Sequence, residues 1–187
     1  MAIIRTYRRR DDGSLEFREA WYETYADGGL GQFVINHGAV GHQSTTQDVQ
    51  DVDEETGESL LAGFELQCRE DGFAELAPEE QFWVVAQYPA KSEGGYGQRL
   101  RDTAVQVLTP HLAWRGLGTV ESAEFAPGKL NIKILTPDAK SAVSAIKTAV
   151  RDHNLDFSKL RIAAAPYGEP EKLKQKHPLP PKPFSLD

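Results

Sequence analysis

The chain has 187 residues, 40% of them hydrophobic and 26% charged, and its 21 basic and 28 acidic side chains leave a net charge of −7. This is globular composition, which excludes a disordered chain; no stretch is long and apolar enough to span a bilayer, and MAIIRTYRRR places apolar before basic residues, the wrong order for a secretory signal. A single cysteine, Cys68, excludes an intramolecular disulfide and a cysteine-based zinc site, so a cytoplasmic protein without a membrane partner is expected.

Charge divides the chain. Residues 1–80 carry 6 basic and 18 acidic side chains, a net −12, and the remaining 15 basic and 10 acidic side chains give +5. The change of sign falls near Ala77-Pro78-Glu79-Glu80, polar and proline-bearing as domain boundaries are. An acidic half repels phosphate backbones, which disfavours nucleic acid as its partner.

From the N-terminus, Ile3, Ile4 and Tyr7 suit a strand, and Asp11-Asp12-Gly13-Ser14 is a turn. Leu15, Phe17, Ala20 and Trp21-Tyr22 suit a second strand with an irregularity near Ala20, and Asp27-Gly28-Gly29 a second turn. Phe33-Val34-Ile35 forms a third strand, and the Ser44-Thr45-Thr46 run leads into a polar edge strand, completing an antiparallel meander. Residues 51–57 read as an acidic loop. Leu60, Leu61, Phe64 and Cys68 then recur as one face of a helix from Glu58 to Asp71. Gly72 stands where a left-handed cap belongs, with Phe73 able to fold back on the last turn. Cys68, on the apolar face, is a small core residue.

Strands with aromatics, a glycine-containing turn and a helix ending in Gly72-Phe73 resemble the WGR domain over Trp21 to Phe73. Phe33 to Gly41 falls where that family has its Trp-Gly-Arg signature, and Ala62, Phe64 and Gly72-Phe73 match its helix end. His37 stands in place of the signature Trp and Ala39 in place of the Arg. The resemblance implies the fold and, through those two positions in the family, contacts to DNA ends and neighbouring domains.

The second half reads strand, helix, hairpin, helix, strand. Phe82 to Tyr88 is a continuous apolar run, as a buried strand is. Gly94-Gly95-Tyr96-Gly97 is a loop. A helix from Gln98 to Leu112 carries Leu100, Ala104, Val107 and Leu108 on one face, with Pro110 expected to distort or end it. Val120 to Phe125 and Leu130 to Leu135 form a hairpin about Ala126-Pro127-Gly128-Lys129. Thr136 is the expected N-cap of the next helix and Pro137 its first residue. Ala142, Val143, Ile146, Ala149 and Val150 are its buried stripe, and it ends near His153-Asn154. Leu160, Ile162 and Ala164 form the last strand. This order resembles a ferredoxin-like βαββαβ sandwich. The expected class is therefore α+β: a WGR-like β-rich domain over 1–77, a ferredoxin-like domain over 78–167, and a Pro/Lys-rich tail over 168–187. Such a tail favours polyproline II. It is either a peptide ligand for an aromatic groove or an arm that lies across the body or is disordered.

Candidate chemistry is sparse. His37 and His42 flank a glycine turn, but no third ligand lies near, so no metal is expected. His111 and His153 suit helix C-termini. Backbone N–H groups at Gly94-Gly95-Tyr96-Gly97, beside Arg99 and Arg101, can hold an anion, yet the loop matches no phosphate-binding fingerprint. Ser44-Thr45-Thr46 lacks an adjacent base, and the carboxylate pairs Glu54-Glu55 and Glu79-Glu80 sit in solvated segments. No cofactor and no catalytic residue is assigned. The expected function is non-catalytic protein binding in an interaction or regulatory module, with a homodimer through sheet edges as one form. The alternatives are a nucleic-acid-binding accessory protein, acting through the WGR-like module or the basic half, and a small-ligand or catalytic site in a cleft between the modules near His37, His42, Tyr96 and Arg99.

Overall fold

The computed structural model describes residues 3–24, 29–91 and 95–187, which form nine strands in two antiparallel sheets and three α-helices. The chain is mixed α+β, as its sequence indicates. It divides into two units: one holds the described residues up to Leu76 together with Trp114–Gly116, the other Ala77–Ala113 and Leu117–Asp187.

In the first unit, β1 (Ile3–Arg9), β2 (Leu15–Glu23), β3 (Gly31–Ala39) and β4 (Thr45–Val52) pair in chain order as a meander. β2 runs without the irregularity expected at Ala20; the register shift lies instead at Gly31/Gln32 in β3. The turn at Asp27-Gly28 lies outside the described residues. β3 is longer than its Phe-Val-Ile centre, so His37 is a strand residue opposite Arg18 and Thr45, not a turn residue.

α1 (Glu54–Glu70) begins four residues before the expected start at Glu58. The Asp53 side chain accepts from Thr56 N–H at 2.8 Å and caps it, and Glu54 and Glu55 meet the positive end of its dipole. The acidic run expected as a loop is thus the end of β4 and the first turn of the helix. Leu61 and Cys68 are buried, and Leu60 and Phe64 pack around a core of Ala20, Phe33, Val52 and Leu61. Burial of a leucine of this kind contributes about 1.5–3 kcal/mol.

The helix ends in a Schellman motif: Phe73 N–H donates to Cys68 O at 2.8 Å and Gly72 N–H to Arg69 O at 3.1 Å, with Gly72 at φ 79°. Phe73 is buried beneath the guanidinium groups of Arg8 and Arg18, 4.6 and 4.3 Å from its ring centre. A Cβ on Gly72 would meet only Arg8 Cδ at 3.8 Å, so its cost is purely the backbone conformation. Gly72→Ala is expected to destabilise the first unit by about 1 kcal/mol, read as a lower urea midpoint with unchanged slope.

In the second unit, β5 (Phe82–Pro89), α2 (Gly95–Ala113), β6 (Val120–Ala126), β7 (Lys129–Thr136), α3 (Ala139–Asp152), β8 (Arg161–Pro166) and β9 (Lys174–His177) build a five-stranded sheet in the order β6-β7-β5-β8-β9. The first four strands of that order are the split βαβ arrangement: β7 lies between β5 and β6, and β5 between β7 and β8. α2 and α3 pack against each other and on the sheet. Val84, Ala86, Leu130, Ile132, Ile134 and Ile162 are fully buried.

Three expectations change here. Gly95, Tyr96 and Gly97 are the first turn of α2 and not a loop; Gly94 lies outside the described residues. Gly97 is needed for a close approach, since a Cβ there would sit 2.1 Å from Lys91 O. Pro110 lies inside α2, which runs on past it to Ala113. Thr136 does not cap α3, because it still belongs to β7, paired with Phe82. The cap is Asp138, whose carboxylate accepts from Ser141 N–H at 3.0 Å, with Pro137 outside the helix. In its buried stripe Ala145 joins the expected residues while Val143 is only half-buried. At its C-terminus His153 caps, its Nδ1 3.1 Å from Ala149 O.

Residues 168–187 belong to the second unit, supply β9 on the free edge of β8, and continue across the sheet.

Candidate peptide-binding face

Strand geometry alternates side chains between the two faces of a sheet. In β5 the residues Val84, Ala86 and Tyr88 share one face, so Trp83, Val85 and Gln87 share the other. The register places Gln87 opposite Asn131 of β7 on one side and opposite Arg161 of β8 on the other. A polar row therefore crosses the middle of the sheet. Gln87 Nε2 donates to Asn131 Oδ1 at 2.8 Å, Arg161 Nη1 donates to Gln87 Oε1 at 3.3 Å, and Arg161 Nη2 donates to Gln175 Oε1 of β9 at 2.7 Å. Gln87, Asn131 and Gln175 are all buried. Burial of amides is costly unless each donor and acceptor is matched.

The remaining donors of this row are matched by main-chain carbonyls of the C-terminal segment. Arg161 Nη2 donates to Pro183 O at 2.7 Å, Gln87 Nε2 to Ser185 O at 2.9 Å and Asn131 Nδ2 to Leu186 O at 2.8 Å. Lys129 Nζ adds a bond to Ser185 O at 3.1 Å and contacts the Asp187 main-chain oxygen, and Gln175 Nε2 donates to Pro178 O at 2.7 Å. The Arg161 guanidinium also lies 5.0 Å from the centre of the Phe184 ring. Side chains of four strands thus bond the backbone of one proline-rich segment.

Two cavities adjoin the segment. One, of about 330 Å³, is walled by Trp83, Val85, Lys133, Pro170, Leu173 and Leu186 among others; Trp83 stacks on Tyr167 with ring centres 5.8 Å apart. The other, of about 370 Å³, opens at the end of β5 and is walled in part by Tyr88, Lys129, Ser158, Lys159, Arg161 and Lys182. Burial pushes the Tyr88 hydroxyl well above its ordinary pKa, with Asp156 and Tyr96 adding to the effect. Asp156 raises the Lys159 ammonium, and is itself held down by Ser158 first and Lys159 second.

The residues singled out from the sequence do not build this face. His37 is half-buried in β3 and His42 is exposed beyond it, both in the first unit. Among the described residues no group of three or more His, Cys, Asp or Glu side chains could hold a metal. Tyr96, in the first turn of α2, and Arg99, just after it, are exposed in the second unit, and Arg99 folds back over Gly95. Tyr96 walls neither cavity and bears on the site only through its contribution to the raised pKa of Tyr88 and Lys159. Gln87, Asn131, Arg161 and Gln175 escaped the sequence reading, although a glutamine within the apolar run Phe-Trp-Val-Val-Ala-Gln-Tyr was a visible signal. Among the described residues no helix is long and apolar enough to cross a membrane. Comparison with protein-family models, with curated proteins and with solved structures finds no match to this chain.

Proposed function

We propose that the protein is a non-catalytic protein-interaction module whose second unit binds extended, proline-containing segments on the face of its sheet. One observation carries the reading: Arg161, Gln87, Asn131 and Lys129 converge on the carbonyls of Pro183, Ser185 and Leu186. Main-chain bonds give a recognition surface affinity for a backbone of given shape. The neighbouring cavities, which take side chains, give it selectivity. Proline suits such a ligand because its preset φ lowers the entropy lost on ordering. The tail then occupies in cis the place that a partner segment takes in trans.

The test keeps the full chain and loosens its tail with the paired substitution Phe184→Ala and Leu186→Ala. A fluorescent peptide of the sequence Pro178–Asp187 is expected to bind this variant with a Kd of about 10–100 μM. It is expected to bind the unaltered chain at least about tenfold more weakly, because the tethered tail competes at an effective concentration near the millimolar range. A scrambled peptide serves as control. A variant that is folded by circular dichroism yet binds neither peptide, or both equally, overturns the reading.

A further inference from the structure

The segment lying on the face has the wrong charge for the pocket it crosses. Lys182, in the tail, lines the same cavity as Lys129, Lys159 and Arg161, and among the described residues its walls include no carboxylate. Asp156 sits behind Lys159, 2.9 Å away, and offsets one of these charges. Arg161 spends its hydrogen bonds on neutral carbonyls and amides, and Lys129 bonds Ser185 and contacts the Asp187 main-chain oxygen, so neither meets a side-chain carboxylate there. Tyr88, another wall, keeps a buried hydroxyl without a hydrogen-bond partner among the described residues. An ammonium group brought among these cations gains nothing there, and a carboxylate at the same point meets a net opposite charge even with Lys159 offset by Asp156.

Resting on the peptide-binding reading, we infer that the partner segment carries an acidic side chain at the position that the tail fills with Lys182. The partner is then an extended, proline-containing acidic peptide, and the tail is a deliberately weaker occupant that such a peptide displaces. Electrostatic mismatch of this kind lets a tethered segment cover the face without excluding its ligand.

The experiment uses the full-length chain with Phe184→Ala and Leu186→Ala, and three peptides of the sequence Pro178–Asp187: unaltered, Lys182→Ala and Lys182→Glu. The Lys182→Glu peptide is expected to bind about tenfold more tightly than the unaltered one, with the Lys182→Ala peptide between them. The advantage is expected to shrink as salt rises from 50 to 500 mM, roughly as screening dictates. Adding Lys159→Gln to the protein is expected to cut the advantage to about threefold or less. If the unaltered peptide binds and the Lys182→Glu peptide binds no better, the charge inference falls while the peptide-binding reading stands. If no peptide binds the folded variant, the underlying reading falls and this inference with it.

Discussion

Arg5→Ala is expected to destabilise the first unit by about 3–5 kcal/mol, far more than removal of a surface arginine would. Arg5 stands opposite Glu19 in the β1–β2 register, and its Nε donates to Glu19 Oε2. The glutamate is only 3% exposed. Across the other side of β2 it faces Asn36, itself buried, whose Oδ1 is taken by the Thr46 hydroxyl at 2.7 Å and whose Nδ2 has no partner. Without Arg5 the carboxylate is left in a low-dielectric setting with its charge unmatched, and that desolvation cost dominates the loss. Arg5→Ala with Glu19→Leu removes both charges and is expected to recover most of the lost stability. Urea unfolding followed through amide signals of β1 to β3 measures both values. Equal stability of the single and double variants would mean that the unmatched carboxylate is not what causes the loss.

The architecture was written in periodicity, and the site was not. Leu61, Phe64 and Cys68 announce a helix because burial selects one face every three or four residues. Leu130 to Leu135 announces a strand for the same reason at the shorter period, and Phe82 to Tyr88 does so as an unbroken apolar run. Misplacements occurred where two local signals competed. Thr136 and Asp138 are both good caps, and the ladder of β7 claimed the first. Glycines at Gly95 and Gly97 read as a loop, though Gly97 serves close packing inside a helix.

The candidate face fails to show for a different reason. Gln87 lies 44 residues from Asn131 and 74 from Arg161, and only strand order and register bring the three together. What they grip is main-chain carbonyl, which every residue possesses and no residue type advertises. Composition marked the tail as extended, but could not say that side chains on the sheet await its backbone. The histidine spacing misled in the opposite sense: His37 and His42 are near in sequence, while β3 fixes one and leaves the other in solvent.

Arg161 is the residue on which the face depends most, and Arg161→Ala is expected to weaken binding of the Pro178–Asp187 peptide to the loosened-tail chain by about 30-fold or more, near 2 kcal/mol. One guanidinium joins Gln87, Gln175, Pro183 O and the Phe184 ring, so a single truncation breaks the polar row and both tail contacts. Arg161→Lys is expected to lose about tenfold, because an ammonium keeps the charge but not the planar fork that bonds two acceptors while facing a ring. Truncation also leaves the Gln87 and Gln175 carbonyls short of a donor, which lowers the stability of the unit by about 1–3 kcal/mol. The two effects separate in the otherwise unaltered chain under chymotrypsin, which cuts after Phe184. If Arg161 holds the tail directly, cleavage there accelerates by more than the change in global unfolding allows. If the arginine only supports the sheet, cleavage and unfolding shift by the same factor, and the tail contacts at Pro183 and Phe184 contribute nothing of their own.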